Sequence, residues 1–131
     1  MKDLLCDQFQ EAVNDTVIRH KSVLDVVTKL QEANTRLNRA LFKSVTSCGC
    51  IKIVATKPHV PEDATYEDLR SLLSTHIEGE LCESCYENLE AELGNLLFWT
   101  AAFANLTDLN IYDAIIKEHK KLVALGVFHL T

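Results

Sequence analysis

The sequence predicts an all-α protein, a bundle of four to five helices with a cysteine-rich loop insertion. Apolar residues recur at three- and four-residue steps in several segments, which is the period of a helix with one apolar face. Both prolines of the 131-residue chain fall within 46–66, so only that stretch is barred from being a continuous helix. A chain of this length forms one domain, 1–131, in which 46–85 is a cysteine-bearing loop with a short helix.

The first two helices are predicted over 3–18 and from Ser22 to about Val45. Ser22 followed by Asp25 resembles a capping box at the start of the second helix. We interpret Asn34 as a polar contact that fixes the register of a helix interface, or as a residue that lines a pocket. The second helix has a coiled-coil-like seam formed by Val23, Val27, Leu30, Asn34, Leu37 and Leu41.

The segment 46–66 is irregular, and alternation from Ile51 to Ala55 indicates a short extended piece within it. A second capping box, Thr65 to Asp68, opens a short helix that we expect to continue to about His76 and to end at Gly79. Its inward side chains are predicted to be Leu69, Leu72 and Leu73.

The longest helix is predicted within 82–106, and Gly94 inside it suggests tight packing or a nearby ligand. The last helix begins at an Asn110 cap and ends at Gly126. Its predicted apolar residues are Ile111, Ala114, Ile115, Leu122 and Leu125, and the predicted buried face of the long helix consists of Leu89, Leu93, Leu96, Leu97, Thr100, Ala101 and Ala104.

Composition excludes several classes of function. A net charge of −6 argues against binding to nucleic acid or to an anionic membrane, because both need clustered Lys and Arg. No apolar run approaches the 18 residues of a membrane span, and the N-terminal residues lack the apolar block of a signal peptide. We therefore expect a cytoplasmic protein, in which cysteines are more often thiols or metal ligands than disulfides.

Two close cysteine pairs form the most specific pattern in the chain. Cys48 and Cys50 flank Gly49, and Cys82 and Cys85 stand at the start of the long helix, where its dipole favours a thiolate at Cys85. Two such pairs predict a tetrahedral zinc site, which would be structural because cysteines fill every ligand position. A redox or disulfide pair, an iron–sulfur ligand set and inert thiols are the alternatives. Cys6 lies on an apolar stripe and is interpreted as a small core residue.

Two stretches resemble the motifs of MazG-like nucleotide pyrophosphohydrolases. Residues 91–99 read AELGNLLFW and are similar to the family's EELGDLLF stretch. Residues 30–41 read LQEANTRLNRAL and are similar to the family's LxEExGELAEAL pattern. The resemblance covers 22–45 and 87–126, and it implies an all-α fold that cleaves nucleoside triphosphates to monophosphates with Mg²⁺ and assembles as a dimer or tetramer.

The carboxylates that this resemblance requires are largely missing. The family holds Mg²⁺ with four carboxylates, two from each motif, and the matching positions here are Ala33, Arg36, Glu92 and Asn95. Only Glu92 keeps its charge, while Glu32 survives beside the set. We therefore expect a degenerate nucleotide or Mg²⁺ site at Glu32, Arg36, Glu92 and Asn95. Arg36 either binds an anionic ligand or forms a buried salt bridge with Glu92.

Three hypotheses for the function follow. The first is a divergent, non-catalytic MazG-like protein with a structural zinc and a binding or regulatory role. The second is an active nucleoside triphosphate pyrophosphohydrolase with a rearranged Mg²⁺ site, and the third is a thiol-based or metal-sensing protein. We also expect a homodimer or homotetramer, because the predicted apolar surface exceeds what one small bundle covers. A nucleotide or another anionic molecule is the expected ligand.

Overall fold

A computed structural model describes residues 4–126, which form five α-helices and one two-stranded antiparallel sheet. The helices are α1 (Leu4–Thr16), α2 (Val23–Lys43), α3 (Tyr66–Leu72), α4 (Glu83–Leu106) and α5 (Ile111–Leu125), and the strands are β1 (Ile51–Ile53) and β2 (Ile77–Gly79). The predicted helical class is thus confirmed, with a small sheet in the cysteine-bearing segment. Within this described part, no helix has the length and apolarity that a membrane crossing requires.

Helix α4 is the central element of the fold. It packs along α2 over most of its length and against α1 near its C-terminal end, whereas α5 contacts only α1 to any extent. The core lies where α1, α2 and α4 meet, and it consists of Val13, Val26, Ala101 and Ala102. The small alanine side chains bring the helix backbones close together at this point.

A buried glutamine joins α1 to the turn between α4 and α5. The Gln10 side chain donates to the Leu109 carbonyl at 2.7 Å and accepts from the Ile111 N–H at 2.9 Å. The Asn105 amide donates to the Gln10 carbonyl at 3.0 Å. Because Gln10 is only 8% exposed, these bonds satisfy polar groups that have little access to water.

The apolar seam predicted for α2 is correct at Leu30 and Leu37 but displaced by one residue at Val27, Asn34 and Leu41. Val23, Val27 and Asn34 are exposed, whereas Val26 and Ala33 are buried. Asn34 therefore forms no polar contact inside a helix interface of this chain. The side that faces α4 still follows alternating steps of four and three, through Val26, Leu30, Ala33, Leu37, Ala40 and Ser44.

The predicted caps of α3 and α5 are confirmed. Thr65 and Asp68 form the reciprocal capping box, and the Asn110 side chain accepts from the Asp113 N–H at 2.9 Å. Gly126 follows α5 as its C-cap. At α2 the Ser22 hydroxyl accepts from the Leu24 N–H at 3.2 Å, while Asp25 lies 3.6 Å from His20, so the capping box predicted there is wrong.

Other predicted boundaries and faces differ from the structure. Helix α1 ends at Thr16 rather than 18, and α2 ends at Lys43 because Ser44–Cys48 form one wider π-helical turn. Helix α3 ends at Leu72, and Gly79 belongs to β2. Other predicted inward side chains are exposed: Leu72, Leu73, Leu93, Leu97, Thr100, Ala114, Ile115, Leu122 and Leu125.

Gly94 and Cys6 also differ from their predicted roles. A Cβ at Gly94 would meet nothing within 4 Å, so the tight packing predicted there is wrong. Cys6 is only partly buried and does not belong to the core cluster.

Candidate metal centre

The four predicted cysteines lie together at one end of the α2–α4 pair. The Sγ atoms of Cys48, Cys50, Cys82 and Cys85 are all within 4.8 Å of one another. A tetrahedral ion with Zn–S bonds of about 2.3 Å has sulfur atoms roughly 3.8 Å apart, and the Cys48 and Cys82 Sγ atoms are separated by 3.8 Å. Four sulfur donors at this spacing fit a single tetrahedral metal ion.

The first pair is positioned by the π-helical turn that follows α2. Cys48 is the last residue of this turn, and Gly49 then adopts a left-handed conformation with φ 80°. The reversal brings Cys50 back toward the turn, where its Sγ lies 3.8 Å from the Ser44 carbonyl oxygen. A single bend therefore presents two thiols on the same side.

The second pair is positioned by the start of α4. Cys82 is the N-cap residue, and its Sγ accepts from the Cys85 N–H at 3.4 Å. Cys82 thus takes the place of the Ser or Asp that commonly caps a helix. Cys85 lies one turn inside the helix, so both sulfurs point toward the same end of α4.

The two-stranded sheet brings the pairs together across the intervening segment. Ile51 pairs with Gly79 and Ile53 with Ile77, which places Cys50 beside the residues that lead into Cys82. A Cβ at Gly79 would lie 2.6 Å from the Cys50 carbonyl oxygen, and Gly79 has φ +91°. Any other residue at Gly79 would push the strands apart beside the cysteines.

Cys82 and Cys85 differ in pKa because they occupy different positions at the start of α4. The Cys85 N–H, followed by the neighbouring thiols, lowers the pKa of Cys82 to about 7. At Cys85 a hydrogen bond with the Ser44 hydroxyl lowers the pKa. The neighbouring Cys82, burial and the other two thiols outweigh it and raise the value to about 12. The favoured thiolate at the start of α4 is therefore Cys82, and the prediction of Cys85 is wrong.

The thiol of Cys48 faces opposing influences. The Cys50 backbone N–H favours its thiolate, but Cys82 and Cys50 side chains and desolvation raise the pKa overall. A bound cation would reverse this balance, since all four thiolates would then face a positive charge.

The residues predicted to form the nucleotide or Mg²⁺ site lie on the same two helices, farther from the cysteines. The Arg36 guanidinium donates to both Glu92 carboxylate oxygens, at 3.2 and 3.3 Å. This pair raises the pKa of Arg36 through the hydrogen bonds and the charge of Glu92. The Arg36 side chain is 58% exposed and that of Glu92 is 22% exposed, so the salt bridge exists but is not buried.

Of the remaining members of the predicted site, Glu32 acts on this pair only through its charge, which also raises the pKa of Arg36, and Asn95 makes no bond to it. Glu32 lies 3.5 Å from Lys29 on its own helix, and Asn95 is partly buried. Ala33 is 1% exposed and packs within the bundle. Two of the four predicted residues are therefore in direct contact, and their charges compensate each other.

An open groove of about 770 Å³ connects this pair with the cysteines. Its walls are α2 and α4, and we call it the α2–α4 groove. Arg39 and Lys43 line it, and they form no ion pair within residues 4–126, whereas the groove's Arg36 is occupied by Glu92. The groove is lined by Glu32, Arg36, Arg39, Ala40, Lys43, Ser44, Ser47, Cys48, Cys82, Ser84, Cys85, Asn88, Ala91 and Glu92.

Sequence reasoning did not select Arg39, Lys43 or Ser44. The spacing of Arg36, Arg39 and Lys43, by three and then four, was a usable signal because such residues share one helix face. Ser44 is 1% exposed and contacts the cysteines from the end of α2, which no local pattern indicates.

No protein-family model, curated protein or solved structure matches this chain.

Proposed function

We propose that Cys48, Cys50, Cys82 and Cys85 bind one structural Zn²⁺ ion and that the protein is a non-catalytic binding or regulatory module. The observation on which this proposal rests is the spacing of the four Sγ atoms, all within 4.8 Å. Sulfur atoms this close surround one ion rather than a cluster of several irons. Zinc accepts four thiolates in a tetrahedron without a redox change, which suits a structural role.

The ion would fasten an otherwise weakly packed segment to the helices. Between Val54 and Thr65 nearly every residue is exposed, and α3 has no buried residue. With so little apolar burial, this segment gains few hydrophobic contacts from folding. Zinc coordination at both of its ends would supply the missing free energy.

We further propose that the protein is a divergent MazG-like protein that does not use Mg²⁺ for catalysis. In support, the two motifs of the resemblance lie side by side, with Arg36 in contact with Glu92. A cation already occupies the carboxylate that the resemblance assigns to Mg²⁺. A divalent ion at Glu92 would have to displace Arg36 and then find few other carboxylates.

Two cations of the α2–α4 groove provide a local site for an anionic ligand. Arg39 and Lys43 are one turn apart and without ion pairs in the described chain, and hydroxyl and amide donors from Ser47, Ser84 and Asn88 share the groove. These groups suit the phosphates of a nucleotide or a similar polyanion. The binding would be weakened by salt, because the cations are accessible to water.

Metal content is the direct test of the zinc site. Protein purified without added metal should contain one zinc per chain by elemental analysis. After exchange with Co²⁺ it should show thiolate-to-metal charge transfer and the visible bands of a tetrahedral site. Serine at Cys48, Cys50, Cys82 or Cys85 should abolish both signals, whereas Cys6→Ser should change neither. Iron in place of zinc would contradict the choice of metal, and metal-free protein with oxidised thiols would favour the thiol-based alternative.

Hydrolysis and binding assays test the remaining parts. Wild type should release no pyrophosphate from nucleoside triphosphates with Mg²⁺ or Mn²⁺. The double variant Arg36→Glu, Asn95→Asp adds two carboxylates beside Glu92 without placing one at the buried Ala33, and it should gain Mg²⁺ binding measurable by calorimetry. Hydrolysis by wild type that disappears on mutating Glu92 would overturn the non-catalytic proposal.

Binding to the α2–α4 groove is measured with inorganic triphosphate and with a nucleoside triphosphate. The difference between the two affinities gives the contribution of the nucleoside. The double variant Arg39→Ala, Lys43→Ala should lose binding. The matched pair Lys117→Ala, Lys121→Ala on α5, with the same four-residue spacing, should retain it. Equal affinities in the two double variants would show that the groove does not bind the anion.

A further inference from the structure

Besides the α2–α4 groove, the chain has a cavity of about 450 Å³ where the connection between α1 and α2 meets α4. We call it the Trp99 cavity. One wall consists of residues 16–20 and the other of Phe98 and Trp99. Its volume lies in the range of small-molecule sites, which is roughly 300–1,000 Å³. The cavity shares no residue with the cysteine site or with the α2–α4 groove.

The aromatic wall of the cavity is fixed by packing. The ring centroids of Phe98 and Trp99 are 5.0 Å apart in a T-shaped contact, and His20 makes a second T-shaped contact with Trp99 at 6.3 Å. Both α4 rings also pack against the core cluster, yet they are only partly buried. Because the rings are already held in place, a flat apolar group can bind to them without the cost of ordering the wall.

The opposite wall places a positive charge beside apolar surface. Ile18 lines the cavity although its side chain is 77% exposed. His20 lies 3.6 Å from Asp25, which compensates its charge when the imidazole is protonated. Arg19, in contrast, forms no ion pair with any of residues 4–126. The guanidinium of Arg19 is therefore the cation of this cavity that a ligand can pair with.

This combination distinguishes between classes of ligand. A quaternary ammonium or another cation would suit the face of an indole ring, but Arg19 would repel it. An uncharged apolar molecule would gain nothing from the guanidinium. An aromatic ring that carries a carboxylate matches both walls, because the ring packs on Phe98 and Trp99 while the carboxylate accepts two hydrogen bonds from the planar guanidinium.

We propose that the Trp99 cavity is a binding site for a small aromatic carboxylate. The ring would lie against Phe98 and Trp99, and the carboxylate would pair with Arg19. Such a ligand would also cover Ile18 and join the α1–α2 connection to α4, so it should raise the melting temperature of the protein. The site is independent of zinc and of the anionic ligand proposed for the α2–α4 groove.

NMR titration of the full chain tests the proposal with cinnamate as the probe. Trp99 is the only tryptophan, so a single indole N–H peak reports on the cavity. Cinnamate should shift this peak saturably, with a Kd in the millimolar range or below for a ligand of its size. Cinnamyl alcohol, which lacks the charge, should bind roughly fivefold more weakly, and acetate, which lacks the ring, should leave the peak unmoved.

The variant Arg19→Gln separates the two parts of the site. It should weaken cinnamate binding roughly fivefold and leave the affinity for cinnamyl alcohol unchanged, because only the acid pairs with the guanidinium. Arg19 is exposed, so the fold should not depend on it. Lys21→Gln is the matched control, since it removes the same charge two residues away but from a side chain that lines a different cavity. Its affinities should equal those of wild type.

Three outcomes would overturn the proposal. The first is an indole peak that cinnamate does not shift at up to about 10 mM, several times the weakest expected Kd. The second is equal affinity of wild type for the acid and the alcohol, which would leave an apolar cavity without preference for anions. The third is an equal loss of cinnamate binding in the Arg19 and Lys21 variants, which would show that only the net charge matters.

Discussion

The two ends of the α2–α4 pair are held together by different means. At one end the helices meet through Val26, Ala101 and Ala102, whose side chains are at most 3% exposed. At the other end four cysteine sulfurs gather within 4.8 Å, and Cys48 is exposed. Packing at the first end depends on shape and small volume, whereas the second end depends on the chemistry of a few atoms. Metal removal should therefore disrupt the cysteine end, whereas added side-chain volume should disrupt the apolar end.

The largest expected difference concerns thiol reactivity in metal-free protein. With pKa values of about 7 and about 12, roughly half of Cys82 and about one in 10⁵ of Cys85 is thiolate at pH 7. Since the thiolate is the nucleophile, iodoacetamide should label Cys82 at least about 100 times faster, after allowance for the greater nucleophilicity of the more basic thiolate.

The pH dependence of the labelling follows from the same shift. The rate at Cys82 should rise through pH 7 and level off above about pH 8, because its thiolate is then fully formed. Cleavage after Glu83 separates the two cysteines for mass spectrometry. Similar labelling rates at both positions would contradict the different roles of the N-cap and the first turn.

Metal removal should affect the cysteine end far more than the apolar end. We expect chelation, or Cys82→Ser, to increase backbone hydrogen exchange in 46–85 by at least about tenfold, because coordination holds that segment. Exchange in the C-terminal half of α4 should change much less. Cys6→Ser provides the control, and a uniform increase along the chain would show that the ends are not independent.

The apolar end is disrupted by added volume. Ala101 is 0% exposed, so Ala101→Leu should lower the free energy of unfolding by about 1–3 kcal/mol through overpacking. Metal content should stay unchanged. Ala114→Leu, at an exposed position of α5, makes the same change without crowding and should be close to neutral in denaturant titrations. Equal effects of the two would contradict tight packing at Ala101.

The Arg36–Glu92 pair lies between the two ends and should have the smallest effect. Because Arg36 is mostly exposed, Arg36→Gln should lower the melting temperature less than Ala101→Leu does. The difference from wild type should shrink as the ionic strength rises, since salt screens exposed charges. A loss of stability that salt does not change would indicate packing by the arginine stem instead.

Features that depend on a few adjacent residues were predictable from the sequence. The capping box at Thr65 and the Asn110 cap depend only on the first turn of a helix. The cysteine pairs were recognisable because the two cysteines of each pair are close in sequence. The seam of α2 was displaced at some positions because apolar residues also occupy its outer face, as at Val23 and Val27, so the periodicity fits two registers.

Features that depend on distant contacts were not predictable. The hydrogen bonds of Gln10 reach residues about one hundred positions away, and β2 lacks an alternating pattern of its own. Cys82, not Cys85, is the favoured thiolate because Cys82 is the N-cap of α4. A sequence pattern places a helix end only to within a residue or two, so it could not identify the N-cap. The groove residues Arg39 and Lys43 gain significance only once α4 is placed beside them.

Because β1 pairs with β2, the sequence of the segment 54–76 between them can be changed with little effect on the rest of the fold. The strands meet from Ile51–Gly79 to Ile53–Ile77, and the Val54 N–H donates to the His76 carbonyl at 2.8 Å, so the segment leaves and re-enters the fold at one point. Doubling the length of a flexible loop costs only about 0.6 kcal/mol. Insertions, deletions or a foreign peptide within 54–76 should therefore leave the four cysteines in the same spatial arrangement.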